Sequence, residues 1–420
     1  MKIFQKRESN VSLYSRAFPT VFSKAKGAFL YDTMGKKYID FFCGAGSVNY
    51  GHNNELMKKA VIDYLQADGI VHSLDMATAA KQDFLEQFES VILEPRGLDY
   101  KIQFTGPTGT NANEAALKIA RMMKKRANIL AFTNSFHGLT AGSLSITSNT
   151  FYRNEAFINR LNVSFAPYDG YLGKDVNTID YILQLLEDPG SGVDLPAAIF
   201  VETVQADGGV NVASIKWLQE LERLCRDFDI LLIVDDIQVG NGRTGTFFSF
   251  ERAGIRPDIV SLSKSISGLA LPMSLLLINP ELDQWKPGEH TGTFRGNNLA
   301  FVAATEAMRY WKDPLFSNTI KEKGQLLAKM LYELQDSYQQ LNSHVRGVGL
   351  IYGFEISNPQ ISKAIAQEAF HRGLVIELCG AREQVLKCLP PLVIEEAVLK
   401  EGIHIIDQSI QSVLSKKCYE

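Results

Sequence analysis

The sequence predicts an α/β fold, and two observations carry that expectation. Short apolar runs recur between residues 128 and 278 without the alternation of a half-exposed strand, and amphipathic stretches of helical period separate several of them. Continuous apolar strands with helices between them indicate a parallel sheet covered on both faces. The predicted strands are residues 128–133 (NILAFT), 197–202 (AAIFVE), 230–235 (ILLIVD), 259–263 (IVSLS) and 273–278 (MSLLLI). Predicted helices cover residues 111–125, 178–186 and 214–228.

The two ends of the chain differ from this middle. Residues 27–42 (GAFLYDTMGKKYIDFF) predict a hairpin, two aromatic-rich strands around a turn at 32–35. A long charged helix at 318–337 precedes a glycine-punctuated strand pair at 345–356 (VRGVGLIYGFEI), another helix and a strand near 374–378. Mixed strands and helices after a wound sheet suggest an α+β appendage, and the hairpin is expected to pack with it. The expected division is a small domain from both termini, residues 1–55 and 306–420, around a large domain of residues 56–305.

With 420 residues, 45% of them hydrophobic and 21% charged, the chain can bury one large core and a smaller satellite. Lys and Arg total 43 against 47 Asp and Glu, a formal net charge of −4, which argues against a general nucleic-acid binder. The one tight basic run, Lys124-Lys125-Arg126, closes a predicted helix, where cations favour the negative dipole end. Five cysteines (Cys43, Cys225, Cys379, Cys388, Cys418) are odd in number and form no C-x-x-C pair. That pattern fits reduced thiols rather than a disulfide scaffold or a thiolate zinc site, and no H-E-x-x-H motif supports another metal centre. The N-terminal MKIFQKRESNVSLY lacks a signal-peptide core, and no apolar run is long enough to span a bilayer. A cytoplasmic protein with no membrane partner is expected.

In parallel α/β sheets, ligands gather at the carboxyl ends of the strands. Those ends carry Glu202, the pair Asp235-Asp236 with Gln238 just beyond, and Lys264. Upstream, residues 104–118 (FTGPTGTNANEAALK) form a Gly/Thr-rich turn opening into an Ala-rich helix, with Asn111 and Glu114 spaced as a capping box. Gly109 and the free N–H groups of a helix start suit a phosphate. The loop is neither a Walker P-loop nor a dinucleotide fingerprint, and the near-miss at 44–49 (GAGSVN) lacks the third glycine. Lys264 leaves an apolar strand, and desolvation lowers a lysine's pKa until its amine is a competent nucleophile. Asp235 also ends an apolar run, where an unpaired carboxylate is costly; capping of the following turn is the alternative for Asp235-Asp236. A cradle, an aspartate and a lysine together match what pyridoxal 5'-phosphate needs: a phosphate site, a counter-ion for the ring nitrogen and an amine for its aldehyde. At hydrogen-bond distance and an effective dielectric of about 20, that ion pair is worth roughly 5 kcal/mol before desolvation. Half of that raises the ring nitrogen's pKa by nearly 2, on the order needed to keep it a cation.

These motifs, in this order and over nearly the whole chain, resemble the class III (ornithine/GABA-type) aminotransferases of pyridoxal phosphate fold type I. The resemblance implies a large, doubly wound, mostly parallel seven-stranded domain and a smaller α+β domain. It implies that Gly109 and Thr110 hold the phosphate, Phe136 stacks on the ring with His137 beside it, and Glu202 belongs to the cofactor site. Asp235 would pair with the ring nitrogen, Gln238 would lie near the ring hydroxyl, and Lys264 would be the Schiff-base lysine and proton carrier. Thr293, within HTGTFRGN, would reach the phosphate of a neighbouring subunit, which implies at least a homodimer with a shared active site.

Within the class, stretches such as QFTGPTGTNA, ILLIVDDIQVG, PDIVSLSKSISG and WKPGEHTGTFRGNNLAF resemble the diaminobutyrate-forming branch of ectoine biosynthesis. The implied substrates are small amino and keto acids: glutamate and L-aspartate 4-semialdehyde, giving L-2,4-diaminobutyrate and 2-oxoglutarate. Two departures from the wider class stand out. Asp207 replaces the usual glutamate of the acid–arginine gate, and Lys387 replaces its arginine, offering a point charge instead of a bidentate fork. Arg295 is a second candidate for a substrate carboxylate, and a surface or intersubunit ion pair accounts for it equally well. Ornithine, GABA or siderophore-pathway specificity, and aminomutase, racemase or decarboxylase chemistry on the same fold, are the alternatives. A nucleotide-dependent oxidoreductase or a non-catalytic binding module leaves Lys264 unexplained and lacks its defining motif.

Overall fold

The computed structural model describes residues 2–153 and 162–417, so Cys418 lies outside the described residues. Seven strands form the central sheet: β1 (Lys101–Phe104), β2 (Ile129–Phe132), β3 (Val163–Ala166), β4 (Ala198–Val201), β5 (Leu231–Asp235), β6 (Ile259–Leu262) and β7 (Leu275–Ile278). Their spatial order is β1-β7-β6-β5-β4-β2-β3. β5 pairs in parallel with β4 and β6, and β2 in parallel with β3 and β4. β7 alone runs antiparallel, to both of its neighbours. The expected α/β class is what the chain adopts.

The continuous apolar runs have a direct cause. Leu130, Phe132, Ile199, Val201, Leu232 and Val234 enter one apolar cluster, while their chain neighbours Ile129, Ala131, Ala198, Phe200, Leu231 and Ile233 enter another. Successive side chains of a strand point to opposite faces, and here helices cover both. Helix Ile215–Asp227 starts at Ser214, whose hydroxyl accepts the Trp217 N–H at 3.2 Å, and helix Thr178–Glu187 starts at an Asn177 cap.

The sequence missed β1 and β3, which lie at the two sheet edges and are only partly buried. Their runs, KIQF and VSFA, lack the uninterrupted apolar character of interior strands. The antiparallel sense of β7 was also not foreseen. A parallel return needs a crossover, usually through a helix, and between β6 and β7 there is only the short turn Lys264–Ser267.

The predicted hairpin forms strands Phe29–Asp32 and Lys37–Asp40, joined on its other side by Phe22–Lys26. Lys37–Asp40 pairs in parallel with Leu374–Val375, setting Ile39 opposite Leu374. The single strand expected at 374–378 is in fact two, because Glu377–Cys379 leaves for a four-stranded antiparallel sheet with Val385–Cys388, Ile351–Ile356 and Ser343–Val348. Ile39 and Phe41 share an apolar cluster with Ile320, Phe354 and Ile406, so the two ends of the chain bury surface together. Helix Pro314–Ser337 begins earlier than predicted because Asp313 caps it and Pro314 occupies its first turn.

Candidate active site

Asp235 is the last residue of β5, Glu202 follows β4, and Lys264 lies two residues beyond β6. Adjacent parallel strands therefore bring the three to one end of the sheet. They line a single cavity with Gly109, Thr110 and Phe136.

Lys264 has φ of +54°, in the left-handed region that lysine rarely adopts. A buried turn fixes it there: the Ser265 hydroxyl donates to the Gly46 carbonyl at 2.8 Å and accepts the Asn49 N–H at 3.0 Å. Such strain persists only where the surroundings over-determine it, and it concentrates at functional sites. Burial holds the Lys264 ammonium below the ordinary lysine pKa, against the opposing pull of Asp207. The shift is toward the neutral, nucleophilic amine.

The Asp235 carboxylate is held on both oxygens. Oδ2 accepts from Asn113 Nδ2 at 2.8 Å and from His137 Nδ1 at 2.8 Å, and Oδ1 accepts the Ile237 N–H at 3.2 Å. Asn113 also donates to the His137 carbonyl at 2.7 Å, so helix Gly109–Lys124 and the loop carrying Phe136 and His137 are tied to one carboxylate. The capping alternative is met in part by Asp235 itself, through the Ile237 N–H, whereas Asp236 Oδ2 accepts the N–H of the distant Ser249 at 3.1 Å.

At the helix start, Thr108 is the N-cap and its N–H donates to Asn111 Oδ1 at 3.3 Å. The expected Asn111–Glu114 capping box is therefore corrected: the reciprocal pair is Thr108 and Asn111, three residues earlier. Glu114 accepts the Gly142 and Ser143 N–H groups at 2.8 and 3.0 Å, fastening the loop beyond His137. A Cβ on Gly109 would lie 2.8 Å from Ile237 Cδ1, and one on Gly138, at φ +126°, would lie 2.5 Å from Thr110 Oγ1. Both glycines are there for close approach.

Glu202 Oε2 accepts the Phe136 N–H at 3.1 Å. Burial, reinforced by the nearby Asp235 charge, pushes its carboxyl well above the usual range. Gln238 lines the cavity with its amide donating to the Ala45 carbonyl at 2.9 Å.

Asp207 also lines the cavity, and the buried Lys387 ammonium sits 2.6 Å from its Oδ1. Lys387 has a second acid that sequence reasoning missed, Glu377, at 2.9 Å. The signal was available in the hairpin register, which sets Glu377 directly opposite Lys387 on the neighbouring strand. Tyr14 and Tyr152 were missed too. Tyr14 donates to Glu377 Oε1 at 2.6 Å, and the Tyr152 ring meets Phe136 edge-on at 5.3 Å. Thr293 and Arg295 do not join the cavity: Thr293 is exposed, and Arg295 Nη2 donates to the Thr291 carbonyl at 3.1 Å.

These residues suit pyridoxal phosphate. Helix N-terminal N–H groups at Gly109 and Thr110 offer an anion site, and the missing Gly109 Cβ leaves room for Ile237 at the cavity wall. A braced carboxylate, an amine whose pKa burial lowers and the flat Phe136 ring line the same space. Among the described residues, no helix is long and apolar enough to cross a membrane.

Such a sheet, with lysine, aspartate and a glycine–threonine helix start converging at its strand ends, defines an enzyme of the fold type I pyridoxal phosphate class. The chain belongs to the class-III aminotransferase family, whose model matches residues 11–410. It is 60% identical over 417 residues to a diaminobutyrate–2-oxoglutarate transaminase of Wolinella succinogenes, covering 99% of this chain and 97% of that one. The transaminase of the same name from Halalkalibacterium halodurans is 52% identical over 417 residues, covering 99% and 98%. Among solved structures, the ornithine aminotransferase of Toxoplasma gondii matches with a TM-score of 0.86 and 27% identity, over 99% of this chain and 95% of that one. The family acts on small amino and keto acids and depends on pyridoxal phosphate.

Proposed function

We propose that this enzyme transfers an amino group reversibly between L-glutamate and L-aspartate 4-semialdehyde, giving L-2,4-diaminobutyrate and 2-oxoglutarate, as a step of ectoine biosynthesis. The observation that carries this reading is the 60% identity, over nearly the full length of both chains, to a diaminobutyrate–2-oxoglutarate transaminase. Pyridoxal phosphate, when bound, supplies an aldehyde that takes up the amino group and a ring that accepts the electrons of the broken C–H bond.

The residues have distinct tasks. Gly109 and Thr110 bind the phosphate through the helix N-terminus, and Phe136 gives the ring an apolar wall that excludes water. Asp235, braced by Asn113 and His137, orients its charge toward the ring nitrogen. Lys264 Nζ, whose pKa burial lowers, would hold the cofactor covalently and would be the group placed to move a proton between carbon atoms. Glu202 lines the cavity with its carboxyl pushed above the usual range, and Gln238 would lie near the ring hydroxyl. Asp207 and Lys387 stand beside the substrate.

A homodimer completes the site in this reading, with Thr293 and Arg295 reaching the partner's cavity. Its support is an apolar surface around them: Phe294, Ile70, Val71 and Met76 are all more than half exposed, and the His72 ring meets Phe294 edge-on at 5.3 Å. The cytoplasm is the proposed location, consistent with four described cysteines that are all unpaired.

The test is a set of half-reactions of the holoenzyme with diaminobutyrate, ornithine, GABA and glutamate, followed at the cofactor absorbance. Turnover with diaminobutyrate and glutamate is expected, and Lys264→Ala should abolish it. Preference for ornithine or GABA would replace the substrate assignment, and no transfer to any external keto acid would remove transamination.

A further inference from the structure

We infer that Glu377 makes the Asp207 side of the cavity a net-anionic subsite, which receives the unreacted ammonium of a diamino substrate and disfavours the distal carboxylate of a dicarboxylate. This rests on the reading of the cavity as an aminotransferase site. The geometry behind it is the environment of Lys387. Its ammonium donates to Asp207 Oδ1 at 2.6 Å and to Gln238 Oε1 at 3.4 Å, and it makes an ion contact with Glu377 Oε2 at 2.9 Å without hydrogen-bond geometry. The Lys387 side chain is 0% exposed, against 13% for Glu377 and 31% for Asp207. Protein oxygens already face this ammonium, two of them carboxylate oxygens, so a substrate carboxylate would have to compete with both.

An acid–cation gate of one acid and one base works because departure of the acid exposes an unpaired cation. Here that cannot happen. If Asp207 turns away, Glu377 remains opposite Lys387 across the hairpin, and the Tyr14 hydroxyl keeps Glu377 in place at 2.6 Å. Two carboxylates against one ammonium leave one negative charge in excess. Neighbouring cations do not cancel it, because Arg346 pairs with Glu355 and Lys363 pairs with Glu383. The other amine close enough to act on Asp207 is Lys264, which the proposed reading commits to the covalent link with the cofactor. Asp207, the most exposed of the three and a wall of the cavity, is where the excess charge meets a ligand. An ammonium there restores neutrality, and a carboxylate there meets like charge in a poorly screened place.

Glu377→Gln tests the inference, since it removes the charge and keeps an acceptor for Tyr14. Two readouts are taken on the holoenzyme: kcat/KM for diaminobutyrate and for glutamate, and the Kd of glutarate, a dicarboxylate that cannot react. The diaminobutyrate-to-glutamate ratio should fall about tenfold, through KM, while glutarate binds several-fold more tightly. A merely structural role would lower both substrates together. An unchanged ratio with unchanged glutarate affinity, in a variant of wild-type thermal midpoint, overturns the inference. Should Glu377→Gln fail to fold, Asp207→Asn removes the same excess charge and must move both readouts in the same directions. If the wild-type enzyme does not use diaminobutyrate, the substrate assignment fails on its own, and the glutarate titration still decides whether the subsite is anionic.

Discussion

His137 Nδ1 lies 2.8 Å from Asp235 Oδ2, and the histidine ring is packed edge-on against Phe200 at 4.7 Å, out of contact with solvent. The histidine expected beside the cofactor ring thus braces the carboxylate. An outer hydrogen bond of this kind fixes a charged group's orientation and typically contributes 10- to 100-fold to affinity or activity, to order of magnitude. His137→Phe keeps the aromatic contact and deletes the donor, leaving Asn113 alone on Oδ2. We expect kcat to fall about tenfold, with the thermal midpoint nearly unchanged and the pH response of the holoenzyme's visible absorbance displaced. A displaced absorbance profile separates positioning of Asp235 from loss of stability.

Gly109→Ala addresses the proposed phosphate cradle. The new Cβ would sit 2.8 Å from Ile237 Cδ1 and 3.0 Å from its Cγ2, so Ile237 must move, and Ile237 lines the cavity two residues after Asp235. Helix propensity favours Ala over Gly by about 1 kcal/mol, so the helix itself gains. The expected outcome is a more weakly held cofactor, by about tenfold in titrations of the apoprotein, without loss of thermal stability. Equal cofactor affinity would show that Ile237 yields freely.

What was legible in the sequence follows from which interactions are local. Lys264, Asp235 and Glu202 end apolar runs, and a parallel sheet gathers such ends at one edge, so the centre of the site could be read from strand patterning alone. Edge strands β1 and β3 could not, since burial on both faces is what makes a strand apolar throughout. The brace on Asp235 joins residues 98 and 122 positions apart, and the ion contact of Glu377 with Lys387 depends on a hairpin register that composition does not fix. The left-handed backbone at Lys264 leaves no mark in the sequence either, because it is imposed by Gly46 and Asn49 from far along the chain.

Asp236 should make stability depend on pH. Burial pushes its carboxyl up to about 7, with Ser249 pulling the other way. The unfolded chain releases this proton near the ordinary carboxylate value of about 4, so between pH 4 and about 7 the folded state binds more protons than the unfolded one. Its contribution is fully present below that window and is lost as pH rises through it. Asp236→Asn removes the titration while preserving an acceptor for the Ser249 N–H. The variant should gain stability relative to wild type as pH goes from 5 to 8, by a few kcal/mol at most, to order of magnitude. Urea unfolding at several pH values measures this, and parallel curves for the two proteins would contradict it.

Lys387→Met separates the lysine's structural work from its part in specificity. The ammonium is fully buried between Asp207 and Glu377, and methionine fills similar volume without charge. Removing one partner of a buried ionic cluster leaves uncompensated charge and costs about 3–5 kcal/mol; here two carboxylates would face each other, and one must take up a proton. Lys387 is also what holds the Asp207 carboxyl below its usual range despite burial, so in the variant that carboxyl should titrate higher. Stability of Lys387→Met is therefore expected to drop by several kcal/mol at pH 8 and to recover part of the loss toward pH 5, the opposite of an unperturbed acid pair. Adding Glu377→Gln removes one of the two facing charges and should restore stability at pH 8 without restoring the wild-type substrate preference. If the double variant is no more stable than Lys387→Met alone, the repulsion between Asp207 and Glu377 is not what the lysine relieves, and its cost must come from lost packing against the hairpin.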